Sequence, residues 1–413
     1  NIDRVPDLDP ELKKRYIGEA KVLRAYNYYE LYTKFGDVPY TTKVLSIKES
    51  MSIARTAKAT VIANVLADLD EVINGNYLPT SYDADNKGRI TRWAAMAIKA
   101  KIYLFEGNWT QVKNITSTIM TEGGFKLFGS YAGLFEIANE YNSEVILDAQ
   151  YRPTSREHQM MYVFLPPTLG GYSQLSPLQE LVDSYIMLDG KTIKETGTSF
   201  DESHPYANRD PRLKATVMYT GNSYTLADGT EVVINCEKGE GKDGYGVGSD
   251  CSATGYYIKK YWDNTYRATL YSGLNPILIR YADILLMNAE ALAELGELDK
   301  TAWDATIKPI RDRAGFTLAS ALEFPEGASK DKLIEIVRNE RRSELALEGH
   351  RHKDIIRWRI ADNVLNGWCH GLKTNDVVGT DDGYVRVENR TFNANKHYLW
   401  PIPQAERDLN GNL

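Results

Sequence analysis

At 413 residues, with 43% hydrophobic and 25% charged side chains, the chain has the composition of an ordinary globular protein with a substantial core. Its 49 Lys and Arg are outnumbered by 56 Asp and Glu, giving a net charge of −7, and no basic run stands out, which argues against a nucleic-acid partner. No apolar run reaches the roughly 18 residues of a membrane-spanning helix, and the opening NIDRVPDLDPELKKRY lacks signal-peptide character, so any leader or anchor would lie upstream.

In chain order, Pro10 to Lys34 reads as a long helix with Ala20, Leu23, Tyr26, Tyr29 and Leu31 as its apolar face, ended by Gly36 and Pro39. Ile62, Leu66, Leu69 and Ile73 mark a second helix. Ile90, Ala94, Ala97, Ile98 and Leu104 mark a third, and Val112, Ile115 and Ile119 a fourth, the last two forming a short-turn pair. Around Asn142 the period changes to two, because Val145, Leu147, Ala149 and Tyr151 alternate with Glu144, Ile146, Asp148 and Gln150, which predicts a short strand.

Helical periodicity then fades for more than a hundred residues. Pro166, Pro167, Gly170 and Gly171 punctuate one part, and EKGEGKDGYGVGSDCSATG, from Glu237 to Gly255, is a long Gly-rich loop of the kind that is functional or mobile. Cys236 and Cys251 flank that loop and could bridge it, which would leave Cys369 unpaired.

The clearest periodicity lies between Asn275 and Gly315. Ile277, Tyr281, Ile284, Leu285, Leu292 and Leu295 predict one amphipathic helix, with Arg280, Asp283, Glu290 and Glu294 as a polar stripe on its other side. After Gly296 and Asp299 a second helix places Trp303, Ile307, Ile310 and Ala314 on one face, with a kink expected at Pro309. Such a pair leaves a face uncovered and must stack on others, as tetratricopeptide-like repeats do. Asp331 to Glu348 is a further helix whose RNERRSE centre predicts an ion-paired seam, with Glu335–Arg338 and Arg341–Glu344 spaced to pair along it.

Five stretches, GEAKVLRAYNYYELYTKFGDVPY, NRDPRL, IRYADILLMNAEALAELG with IRDRAG, IVRNERRSELALEGHRHKDIIRW, and YLWPIPQAERDLNGNL, together resemble the SusD/RagB family of surface lipoproteins across the whole chain. The resemblance implies a mainly α fold, tetratricopeptide-like helix pairs stacked in a right-handed superhelix, with an irregular loop-rich region containing short strands. It implies a single domain over 1–413: an N-terminal helical part at 1–137, truncated at its start, an irregular ligand-binding region at 138–274, C-terminal helical repeats at 275–362, and a loop segment at 363–413. It further implies a glycan-binding protein, not an enzyme, that is surface-exposed on the outer membrane through an upstream lipid anchor. Such a protein captures an oligosaccharide and delivers it to a SusC-like TonB-dependent transporter. Within the family a RagB-like member captures peptides instead, and outside it an α-helical glycoside hydrolase is the rival.

The search for chemistry agrees with a binder. His350 and His352 have no Cys or further His at ligand spacing, no EF-hand-like spacing supports the structural calcium possible in such proteins, and no nucleophile or nucleotide motif is present, so neither a cofactor nor a metal is expected. A sugar is held by stacking on an aromatic ring while its hydroxyls bond to polar side chains, and the 27 Tyr and 7 Trp offer many rings. Loop aromatics are the better candidates. Trp262 leads, with Tyr266, and with Asp263 and Asn264 as hydroxyl partners. Tyr172 and Tyr245, set among glycines, are expected to be exposed. Asp37 in FGDVPY is typical of the family and is read chiefly as fixing its loop. Trp93, Trp109, Trp303 and Trp358 sit in helical patterns and are assigned to packing.

Overall fold

The computed structural model describes residues 2–265 and 270–413. The chain divides into two compact units, one of Asn1–Gly123, His352–Val364 and Phe392–Leu413, the other of Gly124–Arg351 and Leu365–Thr391. No helix among the described residues is long and apolar enough to cross a membrane.

The first unit is helical. Pro10–Phe35 starts with Asp9 accepting from the Leu12 amide and Pro10 at the first helical position, where its missing N–H costs nothing. It packs on Lys58–Asn74, and Arg92–Phe105 packs on Trp109–Glu122 across a three-residue turn. The long helix buries Val22, Ala25, Tyr29 and Tyr32, while Leu23 and Leu31 from the expected inner face are exposed. The helix is apolar on two sides, so periodicity alone does not decide which side meets the core.

The second unit carries the short strands β1 (Val145–Asp148), β2 (Val217–Met218), β3 (Ser223–Thr225), β4 (Glu231–Val233), β5 (Tyr257–Ile258), β6 (Ile277–Arg280), β7 (Gly367–Lys373), β8 (Thr380–Asp381) and β9 (Tyr384–Arg390). They pair antiparallel as β1 with β6, β2 with β5 and β3 with β4, and as a three-stranded sheet in the order β7, β9, β8. Strand β1 lies where the alternation predicted it, but Ile146 and Asp148 face inward, not Val145 and Leu147. One apolar core, including Tyr131, Phe164, Tyr224, Tyr257 and Leu274, runs beneath the irregular region.

The predicted helix from Ile277 begins only at Tyr281, because Ile277–Arg280 pairs with β1. Its partner breaks at Thr306 into Lys300–Ala305 and Ile307–Ala314. The break falls where the Pro309 ring would meet the carbonyl four residues back, that of Ala305.

The largest departure concerns charge. Arg280, Asp283 and Glu290, expected as a polar stripe, are buried. Arg280 binds Glu144 at 2.7 Å, Glu344 at 2.6 Å and Glu348 at 2.7 Å. Arg212 binds Asp210 at 2.7 Å, Glu340 at 2.7 Å and Glu344 at 2.8 Å, and Arg311 reaches Glu340 at 2.7 Å. Arg313 binds Glu144 at 2.9 Å and also Glu344, while Lys260 binds Glu348 at 2.7 Å. Every one of these side chains is at most 7% exposed. Five cations face five carboxylates, so the network is neutral, the condition under which buried charge is tolerable.

Burial pushes Glu348 toward neutrality, but Arg280 and Lys260 overcome it and hold its pKa at about 2. Lys260 is pulled down to about 8, because desolvation there exceeds the attraction of Glu348. The seam helix, Lys330–Glu344, makes its ion pairs between helices: Arg341 binds Asp283 at 2.6 Å and Arg338 binds Glu294 at 2.9 Å. Along the helix Lys332 pairs with Glu335, and Glu344 joins the central network, so the expected ion-paired seam between helices is formed.

The β7–β9–β8 sheet is clipped to Gln179–Ser184 by His370. Its Nδ1 lies 2.8 Å from Glu180 and its Nε2 3.0 Å from Asp381. A neutral imidazole has one N–H, whereas two carboxylates each call for a donor, so this arrangement favours the imidazolium. Partial burial opposes that charge, and the bonds to Asp381 and Glu180 outweigh it, leaving the pKa above the ordinary 6.5. Arg386 also binds Asp381, and Arg342 donates to the Glu180 carbonyl. A raised histidine pKa stabilises fully below the unfolded value and is lost as pH rises through the folded one. A nuclear magnetic resonance titration of His370 is expected to give a midpoint above 6.5, lowered by Glu180→Gln. A midpoint unchanged by that substitution would contradict the clip.

Candidate functional site

Three chain segments of the second unit meet around a cavity of about 550 Å³: Pro167 to Gly170, the β3–β4 turn at Leu226 to Asp228, and Trp262 with Asn264, with Lys242 of the Gly-rich segment joining them. Each is local in origin. Thr225 pairs with Glu231 and Gly229 adopts a positive φ, so the Ala227-Asp228-Gly229 turn closes a hairpin. Trp262 follows β5, its indole N–H donates to the Thr225 carbonyl at 2.8 Å, and its ring stands edge-on to buried Tyr224 at 5.2 Å. With the indole edge bonded to Thr225, what Trp262 offers the cavity is ring surface. Asp228, Lys242 and Asn264 supply polar groups, so the cavity combines an aromatic wall with hydroxyl-bonding partners.

The candidates therefore separate. Trp262 and Asn264 share the cavity, whereas Asp263 between them is buried: Oδ1 accepts from the Thr265 amide at 2.9 Å and hydroxyl at 2.5 Å, and Oδ2 from Ser272 at 2.5 Å. Its expected place as a hydroxyl partner beside Trp262 is corrected to an internal brace of the turn. Tyr266 lies outside the described residues. Tyr245 is half-buried against the apolar core, not exposed as expected, because the loop folds back and its amide donates to the Cys236 carbonyl at 3.2 Å. Tyr172 is 40% exposed and is not among the residues lining the cavity; its ring packs on Tyr162 with centroids 4.3 Å apart. Asp37 belongs to the first unit, where its Oδ1 accepts from the Lys58 amide at 2.8 Å at the start of a helix, the loop-fixing role read from the sequence.

Pro167, Thr168, Leu169, Leu226, Asp228 and Lys242 were not anticipated as lining residues. The proline and glycine punctuation and the Asp-Gly turn were visible signals, but neither says which loops meet. Cys236, Cys251 and Cys369 are free thiols, so the possible bridge across the loop is not formed. Burial raises the Cys236 pKa to about 12. Among the described residues no cluster of three or more His, Cys, Asp or Glu is arranged to hold a metal.

Gly171 shapes the cavity rim. A Cβ there would lie 2.1 Å from the Leu165 carbonyl oxygen and 2.5 Å from its carbonyl carbon, backbone that cannot yield cheaply. Gly171→Ala is expected to destabilise the second unit by about 1–3 kcal/mol, as overpacked sites do, measured by denaturant titration; an unchanged midpoint would show that the rim relaxes freely.

This fold agrees with what the chain resembles. Residues 134–413 match the SusD family model, and residues 2–104 match a model described as starch-binding associating with outer membrane. The chain is 28% identical over 389 residues to SusD-like protein P25 of Formosa agariphila, covering 88% of this chain and 68% of that protein. It superposes with a TM-score of 0.89 and 29% identity on a crystal structure of a SusD-like carbohydrate binding protein from Bacteroides fragilis, spanning 100% of this chain and 82% of that one. A second SusD-like protein of Bacteroides fragilis gives a TM-score of 0.82 at 28% identity, covering 98% and 80%. The mainly helical architecture is thus that of SusD-like proteins, and the chain belongs to the SusD family. That family's models associate it with the outer membrane.

Proposed function

We propose that the chain is a glycan-capture protein of the outer-membrane surface, anchored by lipid upstream, which binds oligosaccharide at the Trp262 cavity and delivers it to a SusC-like TonB-dependent transporter. The observation that carries this reading is the cavity itself, which places an aromatic face beside Asn264, Asp228 and Lys242. A sugar ring presents a C–H face to stack on the indole and equatorial hydroxyls for those polar groups. The likeness to the 29%-identical SusD-like carbohydrate binding protein of Bacteroides fragilis supports the same ligand class.

The rival reading is hydrolysis. Glycoside cleavage uses two carboxylates on either side of the bond, about 5–10 Å apart, and among the described lining residues Asp228 is the sole carboxylate. Calorimetric titration with a panel of neutral and acidic oligosaccharides is expected to show saturable binding, with the sugars recovered at their original length after prolonged incubation. Absence of binding across the panel would overturn the reading, and shortened products would replace capture with catalysis.

A further inference from the structure

The two loops that contribute Thr168 and Lys242 to the cavity are far apart in sequence, yet a single buried side chain, Asp243, 75 residues from Thr168, ties them. Asp243 is 5% exposed. Its Oδ1 accepts from the Thr168 amide at 2.7 Å and its Oδ2 from the Thr168 hydroxyl at 2.5 Å. Its own carbonyl accepts from the Tyr257 hydroxyl at 2.5 Å, and Tyr257 is a fully buried residue of β5, the strand that leads into Trp262.

The local backbone is built to turn Asp243 inward. Next to it, a Cβ on Gly244 would stand 2.2 Å from the Glu240 carbonyl oxygen and 2.4 Å from that of Glu237, so the loop coils too tightly there for any side chain. Backbone bonds from Tyr245 to Cys236 and from Gly239 to Tyr245 close the same coil. A segment whose composition suggests mobility is therefore folded around one carboxylate. Among the described residues no Lys or Arg pairs with that carboxylate, so its compensation in the interior comes from Thr168, and separating the loops would strand it.

We infer that Asp243 is a positioning residue of the glycan site, holding the Pro167–Gly170 rim and the Lys242 segment in the spacing the ligand requires without touching the ligand. This rests on the glycan-capture reading. The arrangement explains why a binding site can be assembled from loops: the adjustable surface groups Thr168 and Lys242 each sit beside a group fixed in the interior, on a line of hydrogen bonds that runs from β5.

The Thr168 amide, whose acceptor is Asp243, reports the tie directly, so hydrogen exchange and oligosaccharide titration are measured together on the parent, Asp243→Ala and Asp243→Asn. Asp243→Ala is expected to speed Thr168 exchange at least about tenfold and weaken glycan binding about tenfold. Asp243→Asn, which keeps an acceptor for the amide and gains a donor for the Thr168 hydroxyl oxygen, should recover most of both; a role in bulk stability alone would change melting without this paired loss and rescue. Thr168→Val, which retains the amide and removes the hydroxyl bond, serves if Asp243→Ala does not fold, with an intermediate loss expected. Unchanged Thr168 exchange in the folded variants overturns the tie, and parent-like affinity despite faster exchange overturns its role in positioning. A parent that binds no oligosaccharide overturns the capture reading and the ligand part of this inference together, whereas the exchange measurement still decides the tie.

Discussion

Replacing Glu344 by Ala is expected to destabilise the second unit by about 3–5 kcal/mol, the range seen when one partner of a buried ion pair is removed. Glu344 is fully buried and its carboxylate meets three guanidiniums: Arg212 at 2.8 Å, Arg280 at 2.6 Å, and Arg313. Burial alone would raise its pKa, but those arginines together drive it far below the ordinary carboxylate range, so it is ionised under all ordinary conditions. Without it the network holds five cations and four carboxylates, and the surplus charge has no route to water. Glu344→Gln keeps the shape and loses the charge, so it should be nearly as damaging. Lys260→Met should cost less, because Arg280 continues to pair with Glu348 when the ammonium is gone. Denaturant titration of the three variants checks the order; Lys260→Met proving worse than Glu344→Ala would mean that the number of partners left without a counter-ion does not govern the network.

That network also explains which parts of the fold were legible. NRDPRL supplies Asp210 and Arg212, IRYAD supplies Arg280, IRDRAG supplies Arg311 and Arg313, and RNERRSELALEGH supplies Glu340, Glu344 and Glu348. Three of the five stretches that carry the family likeness thus converge on one buried cluster. The Arg280 stripe reads as a solvated face, and the charges of IRDRAG and RNERRSE read as ion pairs without their distant partners, because those partners lie far off in sequence: Glu144 is 136 residues from Arg280, and Glu344 is 132 from Arg212. Helical periodicity detects a face that differs from its opposite, and it fails when the buried face is itself charged.

The same limit governs the site. Trp262 and Asn264 could be proposed from their own neighbourhood, since a tryptophan in a turn-rich segment is a local signal. Lys242 and Asp228 could not, because they become lining residues only through the closure of the Gly-rich coil and the β3–β4 hairpin against the Pro167 rim. Asp263 was misplaced for a related reason: a polar residue beside an aromatic reads as surface, yet its partners Thr265 and Ser272 draw the carboxylate inward.

Trp262→Ala is expected to weaken oligosaccharide binding about tenfold or more, the loss typical of an aromatic anchor at a recognition surface and equal to about 1.4 kcal/mol or above. The protein should remain folded, because the ring is only half-buried and its removal empties space that already opens on the cavity. Trp262→Phe separates two contributions. It retains an aromatic face for the sugar but loses the N–H bond to Thr225, so its affinity should fall between parent and Ala to the extent that this bond aims the ring. Of the seven tryptophans, Trp262 lines the cavity, whereas the exposed Trp368 and Trp400 are not among its lining residues, so a ligand-dependent change in intrinsic fluorescence should vanish in either variant. Full affinity in a folded Trp262→Ala protein would move the site away from this cavity, toward the exposed Tyr172, whose ring packs on half-buried Tyr162. Loss of the fluorescence change with affinity retained would mean instead that the ligand passes near the indole without stacking on it, leaving the polar groups Asn264, Asp228 and Lys242 to carry recognition.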